Sequence, residues 1–213
     1  MRDIDVRKAL HRTHLMDFHN DANSRVVDEL EICRGEARID IAVINGSMHG
    51  YEIKSDSDTL ERLSGQIESY SKVFDYVTLV VGEGHLEKAQ QIIPDWWGVS
   101  RAKVVRGRLY LKGIKSGKKN KLVDPFAVSQ LLWRPEAVGI LQKKGLLSGV
   151  KSKPKEALCR RLVEALSLAE LSKEVREAIK LRQGWRSVQP QRRNGGSSPR
   201  LPKLFDCPDH MCD

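Results

Sequence analysis

The sequence predicts an α/β fold in the order helix, three-stranded meander, helix, strand, with an all-helical segment after it. Three observations carry that reading. Between residues 26 and 54 β-rich runs are separated by turn signals at Arg34-Gly35 and Asn45-Gly46. After Lys54 the apolar period lengthens, so that Leu60, Leu63, Ile67, Tyr70 and Phe74 recur at helical spacing. YVTLVVG, at 76 to 82, is then a continuous β-branched run, as a strand buried on both faces requires. With 213 residues, 40% of them hydrophobic, the chain can bury one good-sized core and carry an appendage.

The elements follow in order. Residues 2 to 18 place Ile4, Ala9, Leu10 and Leu15 among charges, the pattern of an irregularly amphipathic N-terminal helix that HNDANS ends. VVDELEI is the least strand-like of the three meander strands, because Asp, Glu and Leu favour a short helix end as readily. Asp58 or a neighbouring serine can cap the helix after Lys54. HLEKAQQII reads as helix, PDWWG as a turn, and KVVRGRLYLKG as a hairpin about Arg106-Gly107. From Asp124, FAVSQLLW, PEAVGILQKKG, KPKEALCRRLVEAL and AELSKEVREAIKLR are successive short helices with Pro, Gly or Ser between them. From Ser187 onward Gln, Pro, Arg, Asn, Gly and Ser dominate and cannot bury enough apolar area to order themselves. The division is therefore 1–123, a helical module at 124–186 and a flexible tail at 187–213, with no internal repeat.

Composition narrows the partners. A net charge of +9, concentrated in KGIKSGKKNK and KSKPKEALCRR, points to nucleic acid, although lysine-rich loops also serve solubility. No stretch approaches a membrane span, and the charged N-terminus lacks the apolar core of a signal peptide, which implies a cytoplasmic protein with no membrane partner. Four scattered cysteines read as free thiols. CPDHMC at 207 to 212 has metal-binding residue types but too few for a structural zinc site. His11 and His14, with no acidic or sulfur partner nearby, read as surface histidines and not as ligands, and Trp133 and Trp185 as packing anchors.

One short segment stands out chemically. In GYEIKSDSDTLER, strand alternation sends Glu52 and Lys54 to one face and Tyr51 and Ile53 to the other, with about 7 Å between like-facing residues. Asp40 interrupts the apolar series of ARIDIAVI one strand earlier. An exposed pair of this kind contributes little, but three charges on adjacent central strands are costly unless they share a ligand. Two carboxylates suit a hard divalent cation such as magnesium, and an ammonium group beside them can serve a water or offset phosphate charge. Asp56 and Asp58 read as turn and capping residues.

These residues resemble the D…(D/E)-x-K signature of the PD-(D/E)XK nuclease superfamily, and the element order is similar to its restriction-endonuclease-like core. Gln66 and Tyr70 resemble the Q-x-x-x-Y pattern of its RecB-like members, and the run from RIDIAVING to PDWWG resembles an uncharacterised bacterial and prophage family placed there. The likeness spans roughly residues 1 to 185. It implies that Asp40 and Glu52 hold Mg2+ or Mn2+, with the Ile53 carbonyl a further ligand, and that Lys54 is the catalytic lysine. It also implies that Gln66 and Tyr70 support the site and that an upstream acid joins it, with Glu29 the first candidate and Glu31 and Glu36 its rivals. Ile39 stands where the name-giving proline would precede the aspartate.

The implied function is metal-dependent phosphodiester hydrolysis, in DNA rather than RNA. The alternative is a non-catalytic DNA-binding or adaptor protein on the same fold, using the helical module, where LLSGVKSKPKEALCRRLVEAL is similar to small helix-extended-helix modules. Nothing in the chain indicates a homo-oligomer.

Overall fold

A computed structural model describes residues 1–182; Trp185, CPDHMC and the 187–213 tail lie outside the described residues. The fold is mixed α/β, built on one open six-stranded sheet in sequential order, β1-β2-β3-β4-β5-β6. Strands β1 (Arg25–Ile32), β2 (Ala37–Ile44) and β3 (Met48–Lys54) form the antiparallel meander. Helix α3 (Leu63–Ser71) carries the chain to β4 (Tyr76–Gly82), parallel to β3, and α4 (Leu86–Ile92) carries it to β5 (Gly98–Val105), parallel to β4. Strand β6 (Arg108–Lys115) returns antiparallel through a two-residue turn, with Arg106 at φ 49° and Gly107 at φ 75°. Two positive φ values are what a type I′ hairpin needs.

Two expectations about the first half are corrected. The N-terminal segment is two helices, α1 (Asp3–Arg12) and α2 (Met16–Asn20), because the chain breaks at Thr13, whose hydroxyl donates to the Ala9 carbonyl. The helix after Lys54 starts at Leu63: Asp58 instead accepts from the Ser55 amide and hydroxyl, both at 2.7 Å, and closes a turn. VVDELEI is a strand. Seven residue pairs with β2 outweigh its weak local preference.

The sheet separates two apolar clusters. On one face α1 supplies Val6 and Leu10, which pack with Ile41, Val43, Tyr51, Ile53, Val80 and Ala102. On the other, α3 and α4 cover Ala42, Ile44, Leu79, Val81 and Val99. Helices α5 (Pro125–Ser129), α6 (Arg134–Lys143), α7 (Lys155–Ala165) and α8 (Leu168–Leu181) join this second cluster through Leu158, Leu162, Val175 and Ile179, alongside Val27, Leu30 and Ile32 of β1. Their ends are fixed locally: Asp124 caps α5 through the Phe126 amide, and Ser167 and Glu170 form a capping box on α8. Arg182 then ties the last helix back with a bidentate pair to Glu136, both at 2.7 Å, and its guanidinium lies over the half-exposed Trp133 ring. None of the helices among the described residues is long and apolar enough to cross a membrane.

Candidate functional site

The three charged residues meet where β2 and β3 part. Pairing between these strands runs from Ile44↔Met48 to Ile41↔Tyr51 and stops. The next residue, Asp40, turns its carboxylate into the gap, where Oδ2 accepts from the Ile53 amide at 2.7 Å. The side chain thus replaces a carbonyl of the ladder.

The neighbouring pair of strands is irregular at the same level. Asp28 faces Ile41 and Leu30 faces Ile39, so Glu29 lies opposite Asp40 with no inserted residue, yet Glu29 has φ 53°. A left-handed glutamate in mid-strand is strained. Alternation slips there in both strands: Val27 and Leu30 share one apolar cluster, as do Ile39 and Ala42. That slip frees two acids from strict inward or outward positions.

Glu52 sits at the buried end of the site, 2% exposed, and both of its oxygens are engaged. Oε1 lies 2.8 Å from Lys54 Nζ and accepts from Gln66 Nε2 at 2.6 Å; Oε2 lies 2.7 Å from the Tyr70 hydroxyl. Gln66 and Tyr70 come from successive turns of α3, one above the other, which is why they reach the same carboxylate. Tyr70 is fully buried, stacked near Trp97 and edge-on to Phe74, and its hydroxyl also lies 2.8 Å from the Arg38 carbonyl. Burial and the Glu52 charge push its phenol far above the ordinary range, so it stays a neutral donor. Lys54 is 5% exposed.

Asp40 is the more open carboxylate, and Arg7 of α1 reaches it. Arg7 Nη2 donates to Asp40 Oδ1 at 3.0 Å, and Nη1 donates to the Asp40 carbonyl at 3.2 Å. Glu29 approaches the same guanidinium at 3.5 Å and Arg38 at 3.4 Å. Burial first, and then the nearby Glu52 charge, raise the Asp40 pKa to about 7 despite the Ile53 amide and Arg7. The two carboxylates repel each other across the site.

Asp40, Glu52, Lys54, Gln66, Tyr70 and the Ile53 amide are therefore brought together, and Glu29 borders them through Arg7. Glu31 and Glu36 are exposed, Glu31 beyond the irregularity in β1 and Glu36 in the turn before β2. Sequence reasoning missed Arg7; its position one residue after buried Val6 and three before buried Leu10, on the helix face that meets the sheet, was the available signal.

His11 is also corrected. It is buried, with Nε2 2.9 Å from Asp28 Oδ1 and Nδ1 2.9 Å from His19 Nε2, so its acidic partner comes from β1 and not from its own helix. Among the described residues no three His, Cys, Asp or Glu side chains gather closely enough to enclose a metal ion.

Comparison with known proteins places the chain in one family. No solved structure matches the chain. Protein cII of Enterobacteria phage P4 is 26% identical over 125 residues, 59% of this chain and 47% of that protein, so the match spans about half the relative's length. The family model for bacteriophage P4 protein cII matches residues 7–196, from the site arginine of α1 to beyond α8, and the chain belongs to that family.

Proposed function

We propose that the protein is a metal-dependent nuclease of the PD-(D/E)XK type, acting on DNA, with a restriction-endonuclease-like core formed by α1, β1 to β3, α3 and β4. The observation that carries this reading is the burial of Glu52 and Lys54 side by side, 2.8 Å apart, at the point where β2 and β3 part around Asp40. A buried ion pair contributes little to stability over an apolar pair, so the fold gains nothing from placing it there.

The residues fit a divalent cation. Asp40 and Glu52 offer hard oxygens from adjacent strands, and their mutual repulsion is the kind that a cation between them relieves. Gln66 Oε1, beside Glu52, is buried with no donor among the described residues and can accept from a water. With only two carboxylates, most of the shell falls to water and phosphate, as magnesium tolerates. The cation, when bound, supplies Lewis-acid polarisation of the phosphoryl group and a more acidic water.

The chain's own residues do the rest. Tyr70 and Gln66 hold the Glu52 carboxylate in one orientation. Lys54 Nζ stands 2.8 Å from Glu52 beside the site, where an ammonium group can stabilise charge on a phosphate oxygen. Arg7 and the Ile53 amide fix Asp40.

The test is cleavage of supercoiled plasmid and labelled single strands with magnesium, manganese or chelator. Because Lys54 is buried against Glu52, Lys54→Ala would strand a carboxylate and cost about 3–5 kcal/mol. Lys54→Gln keeps a donor for Glu52 and is the cleaner variant. Metal-dependent cutting by the native protein, lost in Lys54→Gln while thermal unfolding shows the variant still folded at the assay temperature, is the expected result. Undiminished cutting by that variant would refute the proposal.

A further inference from the structure

Past the helices the sheet does not end. Strands β5 and β6 run on as a hairpin whose two faces differ. Ala102 packs into the α1-side cluster, and Leu109 and Leu111 pack against it. Alternation therefore turns Arg101, Lys103, Arg108, Tyr110 and Lys112 to the other face, the one that bears Glu52 and Lys54. On that face the buried apolar positions of β5 stop at Val99.

The register places this face in line with the site. Lys54 pairs with Val81, Val81 with Arg101, and Arg101 with Lys112, so the four stand in one row across β3, β4, β5 and β6. At about 4.8 Å per strand, Arg101 lies about 10 Å and Lys112 about 14 Å from Lys54 at the backbone. Two residues further along, Lys103 faces Tyr110, which is 53% exposed with Arg108 and Lys112 two residues either side. Glu83 is the acid at hand, paired with Arg101 at 3.2 Å and Lys103 at 2.8 Å.

We propose that this face of the β5–β6 hairpin is a docking surface for a single-stranded polynucleotide, with Arg101, Lys103, Arg108 and Lys112 on successive phosphates and Tyr110 under an unpaired base. The inference rests on nucleic acid being the substrate, and names the form in which it is held. An exposed aromatic between cations is the arrangement that grips a strand without reading its sequence, because every base has a face to stack and every nucleotide a phosphate. An apolar partner protein fits less well, since charge dominates the patch. Lysines on an edge strand also deter edge-to-edge association, and that role predicts different results.

The experiment measures anisotropy of a labelled 20-nucleotide single strand and of the matching duplex, with calcium in place of magnesium, across a salt series. The variants are Arg101→Gln/Lys103→Gln/Lys112→Gln, Tyr110→Ala, and Lys151→Gln/Lys153→Gln/Arg161→Gln in and before α7. We expect the hairpin triple variant to bind the single strand about 10- to 100-fold more weakly with a salt slope shallower by about 2. Tyr110→Ala should lose about 10-fold on the single strand and little on the duplex. Undiminished binding by the hairpin variant with lowered solubility, loss confined to the 151–161 variant, or absence of native binding would each overturn the proposal. Plasmid cleavage is followed in parallel: hairpin-dependent binding without any native cleavage would sink the nuclease reading alone, and native cleavage with an indifferent hairpin would sink this surface alone.

Discussion

Asp40 is the residue at which chemistry and stability pull apart. Its ordinary pKa is near 3.8, and burial with Glu52 nearby raises it to about 7 in the folded protein. Below about pH 4 both folded and unfolded forms are protonated and the penalty is absent. Between about 4 and 7 the folded form holds the extra proton, so metal-free stability falls as pH rises, and above 7 the full penalty remains. Asp40→Asn should flatten that slope, so that urea unfolding in chelator shows the variant gaining on the native protein by a few kcal/mol from pH 4 to pH 8. A parallel pair of pH profiles would contradict it. Glu52 poses the opposite case: Tyr70→Phe removes one of its donors and leaves a buried acceptor short, which should cost about 1–3 kcal/mol. Of these site residues, the sequence showed Asp40, Glu52 and Lys54 because charges interrupting an apolar strand are visible locally. It did not show Arg7, whose role depends on where α1 crosses the sheet.

At the scale of elements, the paired irregularity of β1 and β2 matters most. Glu29 holds φ 53° opposite Asp40, a conformation that glycine adopts without strain. Both Glu29→Ala and Glu29→Gly remove the carboxylate from Arg7 and Arg38, so their difference reports the backbone alone. Thermal unfolding should place the alanine variant about 1 kcal/mol below the glycine variant; equal stabilities would mean that the strand relaxes. The meander itself was legible in the sequence, from the two turn signals and the period of two. The slip was not, since nothing in VVDELEI marks Glu29 as the residue that leaves the β region. The break between α1 and α2 was missed for a similar reason: Leu15 continues the apolar pattern although the helix has ended at Arg12.

Across the whole molecule, the four C-terminal helices and the sheet share one apolar cluster, which couples the 124–182 segment to the strands that carry the site. Arg182 closes that assembly at 5% exposure through Glu136, the Leu131 carbonyl and the Trp133 ring. Arg182→Ala leaves Glu136 without its guanidinium and should cost about 3 kcal/mol, read by denaturant unfolding. A loss below about 0.5 kcal/mol would show that α8 is held by its apolar face alone.

The sequence by itself determined the α/β order, the meander, the helical segments before and after YVTLVVG, the hairpin and the spacing of Asp40, Glu52 and Lys54. Those features are written in local periodicity and turn chemistry, which act over a few residues. The tertiary structure alone decided that Asp40 fills the gap between β2 and β3, that Arg7 and Glu29 meet it from two other elements, that His11 finds Asp28, and that one face of the β5–β6 hairpin is cationic in line with Lys54. These depend on register and on which helix crosses which strand. They are fixed by burial of both sheet faces at once, and no single segment of the chain carries that information.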